Sequence, residues 1–364
     1  MSKRIIISGG GTGGHVFPAL SIAGALKGID SRLVIHFVGS EGKLEMKKVP
    51  EAGYEISGLP VEGFTRKLSL KNISVIMKLF KSLNKAKKII SSFRPDVVVG
   101  VGGYASGPVL RVAGKKGIPT LIQEQNSTPG LTNKLLAKRA NRICVAYEGM
   151  EKYFPEDKIL LTGNPVRKDL ADIDSKRKEA LDFFNLDEKM PVVLVLGGSG
   201  GSRTINESMA VGLAKLEKEK VQAIWQTGSA YFESMQKKYE EAENPNIHIY
   251  DFINRMDLAY SAADIVVSRA GAVTISELSI TGKPAILIPS PNVAEDHQSK
   301  NAMALVSKEA AVLVPDAKAQ ERLADEITGL VNDKMKCRKL AERISSMAIK
   351  DSDELIAKEI LKLA

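Results

Sequence analysis

The sequence predicts an α/β protein of two doubly wound, parallel-sheet domains that face each other across a cleft. Three observations carry this. Short, continuously apolar, β-branched runs alternate with helical stretches, the pattern of parallel strands buried on both faces. Two of those runs lead into one kind of turn, Gly10-Gly11-Thr12-Gly13-Gly14 and Gly197-Gly198-Ser199-Gly200-Gly201. Two further segments recur behind them in the same order, so the chain reads as two similar halves, and 364 residues suit two domains.

In order along the chain, Ile5 to Ile7 form the first strand, and the helix behind its glycine turn starts near His15. Leu33 to Val38 is the next strand. Asp96 to Val99 runs into Gly102 and Gly103, and Gly117-Ile118-Pro119 introduces Thr120 to Ile122. The turn residues Gly163, Asn164 and Pro165 mark the join, giving domains 1–163 and 164–364, with a charged helical stretch from Lys168 to Phe184 behind it. The second half repeats the scheme. Val192 to Leu196 leads into the second glycine turn, Asp264 to Val267 ends near Gly271, and Gly282-Lys283-Pro284 introduces Ala285 to Leu287. Leu355, Ile356, Ile360 and Leu361 have helical spacing, so a final helix within about 345–364 packs on either domain.

Composition excludes several classes. Hydrophobic residues make up 44% and charged residues 26%, which a disordered chain does not show. The only cysteines, Cys144 and Cys337, lie far apart, so neither a disulfide framework nor a zinc site is supported, and a reducing cytosol is the simplest compartment. No segment has the apolar length of a membrane span or a secretory leader. The net charge of +9 is uneven: residues 1–163 carry 25 basic against 12 acidic residues, and residues 164–364 carry 27 against 31. Nine of the basic residues (Arg66, Lys67, Lys71, Lys78, Lys81, Lys85, Lys87, Lys88, Arg94) fall within 63–95, where no acid occurs. Interleaved with Leu68, Leu70, Ile73, Ile76, Met77, Leu79, Phe80 and Leu83, they make a basic amphipathic segment suited to an anionic surface. Nucleic acid is disfavoured, since only Phe64, Phe80 and Phe93 offer stacking surfaces there.

Four constellations carry candidate chemistry. Gly9, Gly11 and Gly14 fit a dinucleotide fingerprint, but the first acid after the second strand is Glu41, later than that reading wants. Two glycine turns, each opening a helix, instead suggest two helix N-termini whose free N–H groups and dipoles suit a diphosphate. His15, directly behind the first turn, has the side-chain type suited to a general base at neutral pH and is a candidate for that role, with a capping or positioning role as its alternative. Glu277 lies one turn into the helix that starts near Gly271, where a carboxylate can accept from a ribose diol; Thr274 and Glu277 also have the spacing of a capping box. Gln298 and Asn301, behind a proline-rich loop, share a helical face with amides suited to sugar hydroxyls. No histidine pair has metal-ligand spacing, and Asp172 with Asp174 reads as a solvated turn.

Assembled, these residues resemble the MurG family of bacterial glycosyltransferases. The matching stretches are Gly10 to Pro18, Gly103 to Pro108, Glu124 to Asn126, Gly130 to Lys134, Gly163 to Arg167, Gly197 to Ser199, Gly271 to Glu277 and His297 to Asn301, all in family order. Where the family often has Gln-Gly-Ala after the second glycine turn, this chain has Gly200, Gly201 and Ser202. The resemblance implies a GT-B fold of two Rossmann-like domains. It implies inverting transfer of N-acetylglucosamine (GlcNAc) from UDP-GlcNAc to the 4-hydroxyl of the muramoyl sugar of lipid I, giving lipid II for peptidoglycan. It implies no cofactor and no metal requirement. By the same similarity, Thr12, Gly13, Gly14, Tyr104 and Asn126 face the sugar, the acceptor or the reacting centre. Arg167 and Ser199 hold diphosphate, Ile253 meets uracil through its backbone, and Ala272, Val273, Thr274, Ile275 and Ser276 wrap base and phosphate. Glu277 takes ribose, and Gln298 reads the sugar with Asn301 close by. His15 is the expected base, with Glu124 as second candidate or orienting partner. Lipid I as acceptor gives the segment 66–94 a role, peripheral attachment to the cytoplasmic face of the cell membrane. A UDP-GlcNAc epimerase or another lipid glycosyltransferase shares the expected fold, an NAD-dependent oxidoreductase is the rival of another class, and a nucleotide-sugar-binding regulator is a third.

Overall fold

The computed structural model describes residues 2–62, 71–198, 200–242 and 244–364, and the chain divides into two compact units. The first comprises residues up to Val166 together with Ile349–Ala364, and the second is Arg167–Ala348.

In the first unit, strands β1 (Arg4–Ser8), β2 (Val34–Ser40), β3 (Glu55–Leu59), β4 (Val97–Gly100), β5 (Thr120–Glu124), β6 (Arg142–Val145) and β7 (Ile159–Leu161) form one sheet. Its order is β3-β2-β1-β4-β5-β6-β7 and every pairing is parallel. Helices α1 (Gly13–Ile29), α2 (Glu45–Glu51), α3 (Lys71–Phe93), α4 (Ser106–Lys115) and α5 (Leu131–Leu136) connect the strands. Ile5, Ile6 and Ile7 are wholly buried, as a strand covered on both faces requires, and they feed two cores, one on each side of the sheet.

The second unit holds strands β8 (Val192–Leu196), β9 (Gln222–Gln226), β10 (Ile247–Tyr250), β11 (Ile265–Ser268), β12 (Ala285–Leu287) and β13 (Val312–Leu313), ordered β10-β9-β8-β11-β12-β13 and again parallel. Its helices are α6 (Arg177–Phe184), α7 (Arg203–Lys218), α8 (Phe232–Ala242), α9 (Met256–Ala262), α10 (Ala272–Thr281), α11 (His297–Val306), α12 (Ala319–Asn332) and α13 (Lys334–Ser345). The helical stretch expected from Lys168 is shorter than its charge pattern suggests. Single 3-10 turns occupy Lys168–Leu170 and Asp174–Lys176, and the helix proper starts at Arg177. Between the turns Ile173 is buried and Lys176 reaches Asp257 at 2.9 Å, which ties the stretch to α9 instead of a continuous axis.

The last helix, α14 (Ser352–Leu363), belongs to the first unit. Ile356, Ala357 and Ile360 are fully buried beside Ile22 and Leu26 of α1 in the core that also holds Ile5 and Ile7. Gly163 adopts φ +74°, and a Cβ there would lie 2.6 Å from Ser352 Oγ and 2.8 Å from Ile349 Cβ, so the outgoing and returning chain meet at a glycine. Asn164 is pinned beside it, donating to the Gln125 carbonyl and accepting from Gln123 Nε2, each at 3.0 Å.

Candidate active site

In each sheet the strand order reverses direction once, between β1 and β4 and between β8 and β11. Such switch points are where open parallel sheets bind ligands, at the carboxyl ends of the strands.

At the first switch point, Thr12 is the N-cap of α1, and its Oγ1 lies 3.3 Å from His15 Nδ1. The loop behind β4 closes on the same spot. Gly103, with φ +81°, leaves only 2.4 Å between an added Cβ and the Gly10 carbonyl, and a Cβ on Gly102 would sit 2.9 Å from His15 Nε2. His15 is half-buried and Tyr104 is 56% exposed, so the loop presents its ring outward. Gly13 and Gly14 follow at the start of α1, with Gly14 exposed.

Glu124 ends β5 and is buried. Its Oε1 accepts from the Asn126 amide N–H at 2.9 Å and from Asn126 Nδ2 at 3.2 Å. Its Oε2 accepts from Gly130 N–H at 3.2 Å and Asn133 Nδ2 at 2.8 Å. Burial raises its pKa, opposed by these donors. A carboxylate accepting from four donors organises the loop 126–133 and presents Asn126.

Sequence reasoning missed Glu45. It is 1% exposed, and it accepts the Gly11 N–H on Oε2 and the Ser40 N–H on Oε1, each at 2.8 Å. One N–H of the first glycine turn, that of Gly11 just ahead of the N-cap Thr12, is therefore given to a carboxylate. No motif marks Glu45, which stands among lysines in the stretch 43–48.

In the second unit the glycine turn leads to Ser202, whose Oγ caps α7 by accepting the Ile205 N–H at 3.3 Å; the departure from the family pattern thus supplies an N-cap. Ser199 lies outside the described residues, as do Arg66 and Lys67 of the basic segment.

The capping box that the spacing of Thr274 and Glu277 allows, the alternative to a ribose role, is not formed. Gly271 is the N-cap of α10, with no side-chain cap, which places Thr274 inside the first turn. Glu277 instead pairs with Arg167, whose Nε is 3.3 Å from Oε1, and accepts from the buried Tyr260 hydroxyl on Oε2 at 3.1 Å. Burial raises the pKa of Glu277 and Arg167 opposes it; Tyr260 is pushed far up by burial and then by Glu277. No motif in the sequence marks Tyr260.

Ala272, Val273, Thr274 and Ser276 are half-buried at the start of α10, where N–H groups of a first helical turn face outward along the axis, whereas Ile275 is turned into the core. The Ile253 N–H is taken by Gln226 Oε1 at 2.9 Å, so a backbone contact from Ile253 to a base falls to its carbonyl. Gln298 Oε1 accepts the Ser290 N–H at 2.8 Å and fixes the proline-rich loop. Asn301 does not share an open face with it: at 1% exposure it lies beneath the start of α10, 3.4 Å from the Ala270 carbonyl. Asp172 and Asp174 are exposed, and no cluster of three His, Cys, Asp or Glu side chains able to hold a metal occurs among the described residues.

Two parallel-sheet units, each with a glycine turn at its switch point and one with a carboxylate-arginine pair beside a helix N-terminus, describe a nucleotide-sugar enzyme of GT-B fold. The chain belongs to glycosyltransferase family 28, whose N-terminal domain matches residues 5–145 and whose C-terminal domain matches residues 192–360. It is 54% identical over 363 residues to the UDP-N-acetylglucosamine--N-acetylmuramyl-(pentapeptide) pyrophosphoryl-undecaprenol N-acetylglucosamine transferase of Bacteroides fragilis, covering 99% of this chain and 96% of that one. The enzyme of the same name from Phocaeicola vulgatus is 55% identical over 362 residues, with the same coverage. Among solved structures, Acinetobacter baumannii MurG aligns over 99% of both chains with a TM-score of 0.80 and 26% identity. A UDP-GlcNAc 2-epimerase from Neisseria meningitidis, solved bound to UDP-GlcNAc, covers 100% of both chains at a TM-score of 0.69, and its 14% identity speaks to the fold alone.

Proposed function

We propose that this protein transfers GlcNAc from UDP-GlcNAc to the 4-hydroxyl of the muramoyl sugar of lipid I, releasing UDP and forming lipid II for peptidoglycan. The near-full-length identity of 54% to transferases of that name carries the reading. The chemistry of the two switch points supports it. In the second unit Glu277 takes the ribose diol, and Arg167 with the first turn of α10 meets the diphosphate, where leaving UDP develops charge. Ile253 offers its carbonyl to the base and Gln298 its amide to the sugar. In the first unit His15, held against Thr12, removes the proton of the attacking hydroxyl, and Asn126, presented by Glu124, positions the sugar. An α-linked donor displaced once in line gives the β product.

The acceptor is a lipid, and α3 suits its surface. Lys81, Lys87, Lys88 and Arg94 are exposed on or just beyond it, as are Met77 (57%) and Phe80 (65%). Among the described residues of the segment, Lys78 pairs with Glu62 and Lys85 with Glu41, both acids lying outside it. No described helix is long and apolar enough to cross a membrane. Peripheral attachment at the cytoplasmic face, through charge and a few apolar side chains, is the reading that these exposed residues support.

Radiolabelled UDP-GlcNAc with a short-chain lipid I analogue tests the reading. Acceptor-dependent UDP release with a labelled lipid product is the expected result. UDP-GlcNAc binding without product, with a verified acceptor, would shift the assignment to an epimerase or a regulator.

A further inference from the structure

We propose that Asp316 is a positioning residue of the nucleotide-binding unit: its two carboxylate oxygens tie the start of α7 to the start of α10, and so set the spacing of the two helix N-termini that receive the donor's diphosphate. This rests on the glycosyltransferase reading above and adds to it a residue that touches no substrate.

The bridge joins three loops of the second unit. Asp316 Oδ2 accepts the Thr204 hydroxyl at 3.1 Å, and Oδ1 pairs with Arg269 Nη1. Thr204 is the second residue of α7, two beyond the Ser202 cap that ends the second glycine turn. Arg269 follows β11 directly and stands two residues ahead of Gly271, the N-cap of α10. The same Nη1 donates to the Ile288 carbonyl at 3.0 Å, just ahead of the loop that Gln298 holds through the Ser290 N–H. One carboxylate and one guanidinium thus fix the glycine turn, the start of α10 and the proline-rich loop in a single arrangement.

The spacing matters because strands β8 and β11 are neighbours that end level, with Leu196 opposite Ser268, so the helices behind them open side by side. A helix N-terminus holds an anion through N–H groups whose directions follow the backbone. In α7 the Ile205 N–H is taken by Ser202 Oγ, and those of Arg203 and Thr204 precede the helix's own bonds. Two such termini serve one diphosphate only if their separation matches it. The bridge is also neutral. The Asp316 and Arg269 side chains are 21% and 15% exposed, so the pair is screened less than a surface pair, and the carboxylate reaches the first turn of α7 with its charge already met. An unpaired carboxylate there would repel phosphate.

The test uses the full chain and compares Thr204→Val, which keeps the shape and removes the hydroxyl, with Thr204→Ser, which keeps the hydroxyl. Each is titrated calorimetrically with UDP and with uridine, whose proposed partners Glu277 and Ile253 lie outside α7. Thr204→Val is expected to bind UDP about five- to tenfold more weakly than the parent and uridine within about twofold, and Thr204→Ser to restore most of the UDP affinity. In an Asp316→Ala background Thr204→Val should cost nothing further, because the hydroxyl then has no carboxylate to lose. Unaltered UDP affinity in Thr204→Val, equal losses for UDP and uridine, or the same loss in the Asp316→Ala background overturns the proposal. If Asp316→Ala does not fold, the two Thr204 variants decide alone. A parent that binds UDP but forms no lipid product defeats the transferase reading instead, and the comparison still decides on Asp316; a parent that binds no UDP overturns both.

Discussion

Arg167 and Glu277 satisfy each other across 3.3 Å, while Tyr260 holds the second carboxylate oxygen from the interior. The two functions assigned to the pair are separable. Glu277→Gln should weaken binding of uridine and of UDP alike, by about 10- to 100-fold, the worth of hydrogen bonds to a charged group. Arg167→Ala should weaken UDP and leave uridine within a few fold. Calorimetric titration with both ligands checks this, and equal losses for both ligands in Arg167→Ala would place the arginine away from the diphosphate.

His15→Ala should lower kcat by about 10²- to 10⁴-fold, the usual contribution of a general base, with UDP affinity unchanged. Gly102→Ala is the subtler probe. Its methyl group would come within 2.9 Å of Nε2 and its φ of +92° suits only glycine, so the imidazole must move. Steady-state kinetics on both variants should give kcat losses of the same kind. A Gly102→Ala enzyme with unaltered kcat would argue that the histidine is not where the proton leaves.

Asp257 gives the second unit a signed pH dependence. Arg255 grips it through Nε and Nη2 at 2.9 Å each and Lys176 adds a further contact at 2.9 Å. Arg255 first, then Lys176, hold this carboxyl well below the usual carboxylate range against the opposing effect of burial. A depressed native pKa contributes stability that is complete above the unfolded value, about 4, and is lost as pH falls below it. Asp257→Asn should lower the urea midpoint at pH 7, and the gap to the parent should close in acid. A gap independent of pH would assign the loss to packing.

Vesicle binding should be anionic and salt-sensitive. Replacing Lys81, Lys87 and Lys88 together with alanine removes about 3 kcal/mol of surface attraction, or roughly 100-fold in partitioning. Flotation with phosphatidylglycerol vesicles at low and high salt measures it. Equal flotation of parent and variant would move the membrane contact elsewhere on the chain.

The sheets were legible because a parallel strand buried on both faces has to be apolar along its length, as Ile5 to Ile7 and Val192 to Leu196 are. His15, Arg167 and Glu277 were singled out through glycine turns and family order, and the structure brings Arg167 and Glu277 together. Glu45 was not, because its partners lie 34 residues away at Gly11 and at the end of its own preceding strand, and periodicity says nothing about such contacts. The same limit hid the pairing of Lys78 and Lys85 with Glu62 and Glu41, which makes the basic helix less basic than its composition. The helix start near Gly271 was legible, whereas the capping-box spacing of Thr274 and Glu277 was no guide: Gly271 itself caps α10, and a glycine leaves the first N–H groups open where a hydroxyl would occupy one.

The placement of α14 bears on how the chain is made. Domains usually fold in the order of synthesis, N-terminal first. Here Ile5, Ile7, Ile22 and Leu26 emerge early but share a core with Ile356 and Ile360, and all of Arg167–Ala348 must be translated before those arrive. The second unit can settle first, whereas the unit that carries His15 and the basic helix waits, with part of its core uncovered, for residues that are translated after the second unit. A ribosome stalled before Ser352 would hold a nascent chain whose second unit is complete while the core around Ile22 and Leu26 is still open.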